Sequence, residues 1–354
     1  MAETTFGVNH PLAVKVWRKK LMQEVLKETW ASRFMGEDSN SLIQVFDDLE
    51  KSAGDRITVG LRMQLAGAGI QGDDTLEGNE EALVTYSDNL FINQLRHAVK
   101  SGGKMSEQRV PFSVREEAMQ GLKDWWAGRI DLSFMNHICG NTGQAHTRYT
   151  GNNATLAPST NRKLFADDNT SETTITSGTS DQFTLALLDK AVATAKTASP
   201  MIRPIKIKGG EYYVCFIDPW QTQDLRSQSA AGQWADIQQA AIQGGQLTDN
   251  PIFTGALGMY GGVILHETTR LTTFTTDGGT RGVRAVFCGA QAAAIGYGRG
   301  EEGKKGDRFE WVEETFDFKN KLGVSAGMIW GLKKLQFNSE DFGTITISTN
   351  APQS

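Results

Sequence analysis

Three short stretches carry residue types and spacings that chemistry uses. Gly67 to Gly72 reads GAGIQG, a full G-x-G-x-x-G, and follows an alternating apolar run, RITVGLRMQL. Such glycines cradle a dinucleotide pyrophosphate when a helix N-terminus opens directly behind them. Here Asp73, Asp74, Glu77, Glu80 and Glu81 follow, with no amphipathic helix, and carboxylates in that position would repel a phosphate. Gly323 to Gly327 reads GVSAG, the G-x-S-x-G of a nucleophile elbow. That elbow requires strand, turn and helix, with a histidine later in the chain. The last histidine is His266, and the segment after Gly327 reads as strand. Gly298, Gly303 and Lys304 fit most of a Walker A loop, yet Lys305 stands where a hydroxyl would hold magnesium and Glu301 and Glu302 intrude.

Two weaker constellations are also present. His137, Cys139 and His146 offer nitrogen and sulfur donors, but the H-x-C spacing is unusual for zinc, and a helix terminus followed by a loop accounts for them better. Asp341 to Gly343 reads DFG without the catalytic-loop and strand-lysine motifs of a kinase. The expectation is therefore a chain with no catalytic, cofactor-binding or metal residues, and not an enzyme.

Composition agrees with a folded, non-enzymatic reading. The 354 residues are 39% hydrophobic, enough for one large core or two moderate ones. A net charge of -5 gives no whole-protein field for gripping nucleic-acid phosphates. Cys139, Cys215 and Cys288 are widely spaced and odd in number, and the start lacks a basic segment followed by an apolar one. Synthesis in a reducing cytoplasm is expected. No uninterrupted apolar run reaches about 18 residues, so no membrane partner is expected.

The elements that would position any site follow from periodicity. Pro11 to Met35 predicts a helix, with Val14, Trp17, Leu21, Val25 and Leu26 at helical spacing, Gly36 as its stop, and a basic face that includes Lys15, Arg18, Lys19 and Lys20. Ile57, Val59, Leu61, Met63 and Leu65 alternate with polar residues, predicting a strand with one wet face that breaks in the glycine-rich tip. Ser113 and Glu116 form a capping box ahead of Val114, Ala118, Leu122, Trp125, Trp126 and Ile130, predicting a long helix with its tryptophans in the core. Gly151 to Gln182 is rich in Asn, Thr and Ser and reads as a long loop or surface insertion. A second α/β unit is expected from Phe183 to about Arg299: helices at Phe183 to Ala195 and at WADIQQAAI, strands at EYYVCFIDP, GGVILHE and VRAVFCG, and a short helix at AQAAAIGYG. RFEWVEETFDF, SAGMIWGLKKLQF and GTITIST predict strands that close a sheet.

Arms and projections that cannot bury their apolar face within one subunit imply neighbours. NPIFTGALGMYGGVILHE (Asn250 to Glu267), RAVFCGAQAAAIGYGR (Arg284 to Arg299) and DFKNKLGVSAGMIWGLKKLQFNSEDFG (Asp317 to Gly343) resemble the major capsid protein family of tailed bacteriophages typified by phage N4. IKGGEYYVCFIDPWQTQDLR and GDRITVGLRMQLAGAGIQGDDTLEGNEE are similar to it too.

The resemblance implies an α+β chain with the capsid fold first described for phage Hong Kong 97. Carried over, residues 1–54 form an N-terminal arm, 55–81 an extended E-loop, and 82–150 a peripheral domain whose spine helix runs from Ser113 to about Asn136. Residues 151–182 form the polar loop, 183–299 an axial domain, and 300–354 strands returning to the peripheral domain. It also implies a virion coat protein that self-assembles as hexamers and pentamers into an icosahedral shell. Its further partners would be double-stranded DNA on the inner face, a portal, and scaffold or decoration proteins. Trp17, Arg18 and Lys19 of the arm, Arg56 and Arg62 of the strand, Gly67, Gly69 and Gly72 of the tip, and the carboxylates Asp73, Asp74, Glu77, Glu80 and Glu81 are the candidate intersubunit residues. A cargo-packaging nanocompartment of the same fold and a soluble α/β enzyme are the rival readings.

Overall fold

The computed structural model describes residues 29–50, 53–109, 113–227, 256–299 and 308–353. Its centre is one helix, Val114–Ile138, whose Leu122, Trp126, Ile130, Phe134 and Ile138 recur every fourth residue and are all fully buried. That spacing puts them in a single stripe. The Ser113 side chain accepts from the Glu116 amide at 3.4 Å, satisfying one of the otherwise unpartnered first-turn donors, and Glu116 and Glu117 complement the positive end of the helix dipole. At 25 residues the helix is about 37 Å long.

The helix lies on a six-stranded sheet organised by the strand Lys321–Lys334. Asn93–Lys100, Phe309–Phe316 and Ala293–Tyr297 all pair antiparallel with it, and Ile43–Phe46 adds in parallel to Ala293–Tyr297. Trp126 meets Phe309 and Trp330 edge to face, at 5.2 and 6.4 Å between ring centroids. Such pairs add roughly 0.5–1.5 kcal/mol beyond the area they bury.

An eight-stranded sheet packs on the same helix. Its order is Lys163–Phe165, Thr344–Asn350, Arg281–Cys288, Gly210–Ile217, Val263–Glu267, Gly258–Tyr260, with Thr273–Thr275 and Ile205–Ile207 attached at the side. Strand alternation divides its residues between two cores. Val214, Phe216, Ile264, Val286 and Cys288 join the core around the long helix. Tyr213, Cys215, Ile217, Leu265 and Phe287 face the other way, against the helix Leu185–Thr197 and its Leu188, Ala191 and Ala195.

Several expectations are corrected. Trp30–Phe34 is a 3₁₀ turn behind an extended Thr29, and Met35–Gly36 is a short strand pairing with Ile43–Gln44, so the helix read over Pro11 to Met35 does not reach its predicted end. Ala31, Phe34, Leu42 and Ile43 are buried in the main core, which removes residues 29–46 from any free arm over 1–54. Residues 1–28, the segment WADIQQAAI, and Glu301 to Lys305 lie outside the described residues. AQAAAIGYG contains the strand Ala293–Tyr297, not a helix. It is buried on both faces between two hydrogen-bonded neighbours, and those ladders override the helix preference of its alanines. The strands expected together over Phe309 to Thr349 separate: Phe309–Phe316 and Lys321–Lys334 belong to the six-stranded sheet, whereas Thr344–Asn350 pairs with Arg281–Cys288 and Lys163–Phe165 in the other.

Gly151 to Gln182 is largely loop, as expected, but it is not a surface insertion. Asn153, Arg162, Leu164, Ala166, Ile175 and Asp181 are buried in it. Its polar residues serve as hydrogen-bonding groups for neighbouring backbone: Asn152 donates to the Trp330 carbonyl, and Asn153 both accepts from and donates to the Phe91 backbone at 2.9 Å. Glu172 receives Arg284 through two bonds of 2.5 and 2.8 Å, while Arg284 also donates to the Gly140 carbonyl just past the long helix. The segment is a strap that fastens the helix end to the eight-stranded sheet.

Burial raises the pKa of Glu172, but the Arg284 fork and the Ser348 hydroxyl outweigh it and leave the carboxyl below its ordinary value. A depressed carboxyl stabilises the fold above its unfolded pKa, and that contribution is lost as pH falls through the folded one. Glu172→Gln should therefore lower stability at neutral pH and flatten its decline below about pH 4.5, as read from denaturant unfolding across a pH series.

Candidate functional site: a projecting hairpin and an anchored arm exit

Among the described residues the longest exposed stretch belongs to a hairpin. Arg56–Arg62 and Thr85–Phe91 pair antiparallel from Arg56 opposite Phe91 to Arg62 opposite Thr85, and one further rung joins the Met63 amide to the Val84 carbonyl at 3.0 Å. The projecting unit thus extends over 56–91, past the expected end at Glu81. Ile57 and Leu90 are buried with Leu49, Ala294, Leu335 and Phe337, and Val59, Leu61 and Tyr86 pack against that cluster. The alternation read in the sequence is the division between this base and solvent.

A polar clamp fixes the hairpin's direction. Asp88, nearly buried, pairs with the Lys333 ammonium on the long strand, and it accepts from the Gln336 amide at 3.0 Å. Lys333 also donates to the Asn89 carbonyl at 3.1 Å. Beside it Gly331 lets the two backbones approach, because a Cβ there would stand 1.9 Å from the Phe91 carbonyl oxygen.

The tip, residues 63–84, has no regular structure and is exposed almost throughout. GAGIQG does hold an anion, but the anion is the chain's own: Glu81 accepts from the amides of Ala66 and Gly67 at 2.8 and 2.7 Å. Those two N–H groups keep its carboxyl below the ordinary carboxylate value. Gly69 and Gly72 have φ of +73° and +68°, the left-handed region that favours glycine. Leu65, Leu76, Leu83 and Val84 stand exposed around them.

A second feature marks where the N-terminal residues join the body. Asp131 of the long helix accepts from the amides of Trp30 and Ala31 at 3.2 and 2.9 Å, and from Arg270 at 2.6 Å. It supplies the cap that Thr29 does not. Burial pushes its carboxyl up, opposed first by the Ala31 amide and then by Arg270. Trp30 and Phe34 then pack edge to face on Phe216 and His266.

The structure assigns the sequence candidates unequally. Trp17, Arg18 and Lys19 lie outside the described residues. Arg56 and Arg62 are exposed on the same strand, but Arg56 sits at its base with the guanidinium 4.5 Å over the Phe91 ring, far from the carboxylates of the tip. Gly67, Gly69, Gly72, Asp73, Asp74 and Glu77 share the exposed tip, whereas Glu80 and Glu81 are engaged within it, Glu80 accepting from the Gly78 amide at 2.8 Å. Sequence reasoning missed Asp88, Lys333 and Asp131, whose partners are 245, 245 and about 100 positions away. It also passed over the exposed leucines, for which apolar residues within a Gly- and Asp-rich stretch are the available signal.

The remaining motifs have structural roles. Ser325 is in mid-strand, its hydroxyl donating to Val312. Asp341 is buried against Lys334. His137 bonds the Thr150 carbonyl at 2.7 Å and burial pushes its pKa down to about 4, while His146 is exposed and caps a 3₁₀ turn. No group of three His, Cys, Asp or Glu that could hold a metal occurs among the described residues.

The described residues thus form a body of two sheets on one long helix, with a projecting hairpin. Over residues 5–353 the chain matches the family described as Phage capsid protein. It is 30% identical to the major capsid protein of Pseudomonas phage KPP25, over 94% of this chain and 93% of that one. Among solved structures it is similar to the capsid of Ralstonia phage GP4, with a TM-score of 0.83, 31% identity and 99% of each chain covered. It is also similar to the capsid of cyanophage Pam1, with a TM-score of 0.72 and 21% identity over 93% of this chain and 94% of that one. The chain belongs to the phage capsid protein family. It is a phage major capsid protein with the Hong Kong 97-like fold, a structural component of a multimeric virion shell, and these matches do not favour the nanocompartment or enzyme readings. No described helix is long and apolar enough to cross a membrane.

Lys333→Met leaves Asp88 largely buried without its cation, which should cost about 1–3 kcal/mol. Hydrogen exchange should accelerate in residues 85–91 and stay unchanged in Leu185–Thr197.

Proposed function

We propose that the chain is a coat subunit of the phage N4 type that assembles as hexamers and pentamers into an icosahedral shell around double-stranded DNA. Assembly takes place in the host cytoplasm, with portal and scaffold or decoration proteins as further partners. The eight-stranded sheet with its helix Leu185–Thr197 forms most of the axial domain, and the six-stranded sheet with the long helix forms the peripheral domain. The hairpin over 56–91 is the E-loop that lies on an adjacent subunit, and residues within 1–28, including Trp17 and the basic Arg18 and Lys19, make a second contact.

One observation carries this reading: the hairpin is fixed at its base by a core and an ion pair, yet presents leucines to solvent at its tip. A projection with that distribution gains stability only by seating its apolar tip on another surface. The carboxylates Asp73, Asp74, Glu77 and Glu80 and the exposed Arg62 supply polar contacts around it. Each exposed pair contributes about 0–1 kcal/mol, so apolar area repeated through the shell supplies most of the interface energy.

Two variants test the assignment. Gly69→Val places a β-branched residue at a positive φ in the exposed tip, and it should abolish shells in electron micrographs while leaving the subunit's circular dichroism unchanged. Deletion of residues 1–28, which spares the buried Ala31 and Phe34, should give soluble capsomers by light scattering; normal shells would remove the arm from the mechanism.

A further inference from the structure

The hairpin tip has a defined chemistry for its partner to match. Between Met63 and Val84 the sequence contains five carboxylates and no Lys or Arg. Its seat must be basic and must offer apolar surface.

One place on the described surface has both. The strands Phe309–Phe316 and Lys321–Lys334 are joined by a turn in which Asp317, Phe318 and Lys319 all take positive φ, of 57°, 50° and 67°. Three successive non-glycine residues in that region are strained, and strain of this kind persists where function uses the geometry. The turn holds Phe318 fully exposed, with Phe316 and Met105 also exposed. The short helix Lys104–Gln108 is fastened to it, since the Lys104 amide donates to the Asn320 carbonyl at 3.1 Å. Lys100 lies 4.4 Å over the Phe316 ring. Asp317 is taken up by Lys321, and neither Lys104 nor Lys319 meets a carboxylate among the described residues. Glu107 and Glu314 are the opposing charges in this region.

Register places this turn away from the hairpin's root. Asn93, where the chain leaves the hairpin, is opposite Trp330, and Lys100 is opposite Gly323, seven residues along the same ladder. At about 3.4 Å per residue the two ends are about 24 Å apart. An acidic, apolar tip leaving one end and a basic, aromatic turn at the other are complementary in a head-to-tail sense, and head-to-tail contacts between identical chains close into rings when the rotation permits.

We infer that the seat of the hairpin tip is the Phe318 turn of a second copy of this chain, with Phe318 as the apolar contact and Lys104 and Lys319 facing Asp74 and Glu77. This rests on the reading of the hairpin as an intersubunit clasp. Three variants test it: Phe318→Ser, the receptor reversal Lys104→Glu with Lys319→Glu, and the tip reversal Asp74→Lys with Glu77→Lys. All change exposed side chains, so folded subunits are expected by circular dichroism. Each should lower shell yield by about tenfold or more, and the two reversals combined on one chain should restore it to within about threefold of the parent. Loss with each reversal and no recovery in the combination would overturn the pairing while leaving the clasp intact. Normal shells from Phe318→Ser would also overturn it, and normal shells from the tip reversal would overturn the clasp itself.

Discussion

The described elements of the subunit are arranged around the contact between the long helix and the strand Lys321–Lys334. Trp126, with neighbours Phe309 and Trp330, fills the centre of that contact. The strand is then the common partner of Asn93–Lys100, Phe309–Phe316 and Ala293–Tyr297, so a shift of helix on strand would move all of them. The opposite part of the helix stripe, Phe134 and Ile138, joins the core that also holds Phe216 and Ile264 of the other sheet. One helix therefore sets the relation between two sheets that share no strand.

The polar interactions of the structure complement this contact at its ends. Ser113 closes the helix N-terminus, Asp131 fixes the chain that enters from residues 29–34, and Arg284 with Glu172 secures the C-terminus to the eight-stranded sheet. Asp88 and Lys333 do the same for the hairpin. Apart from the local Ser113 cap, each joins segments far apart in sequence at a point where a backbone would otherwise leave the core in an undetermined direction. Breaking a buried pair costs more than forming it gains, because the surviving charge stays desolvated. Such pairs fix direction even where their net contribution to stability is small.

What could be read from the sequence follows the same division. The long helix and the hairpin strand declare themselves because their stripes are local: period four from Leu122 to Ile138, period two from Ile57 to Met63. Ala293–Tyr297 did not, since a strand buried on both faces has no alternation, and its alanines favour helix until two neighbours arrive. The strap over 151–182 is largely loop, as its polar composition indicates, but its burial is not legible there. Asn152, Asn153 and Glu172 are polar for a different reason, namely that they satisfy buried backbone and an arginine on other elements. Composition reports how much polarity a segment has, and only the fold reports what that polarity faces. The clamp residues Asp88, Lys333 and Asp131 were beyond reach for the same cause.

GAGIQG shows how a motif can be right in its physics and wrong in its chemistry. Glycine-rich backbone does present N–H groups to an anion, and here two consecutive amides receive a carboxylate. What distinguishes this from a nucleotide site is the surrounding element: a phosphate cradle needs a helix dipole behind it and cations around it, and this loop has neither a helix nor a single Lys or Arg from Met63 to Val84. By using Glu81 internally, the loop draws its two sides together while Asp73, Asp74 and Glu77 remain exposed and Glu80 turns back to the Gly78 amide. The glycines thus let the tip turn within a small volume while its leucines stay exposed and its charge is of one sign.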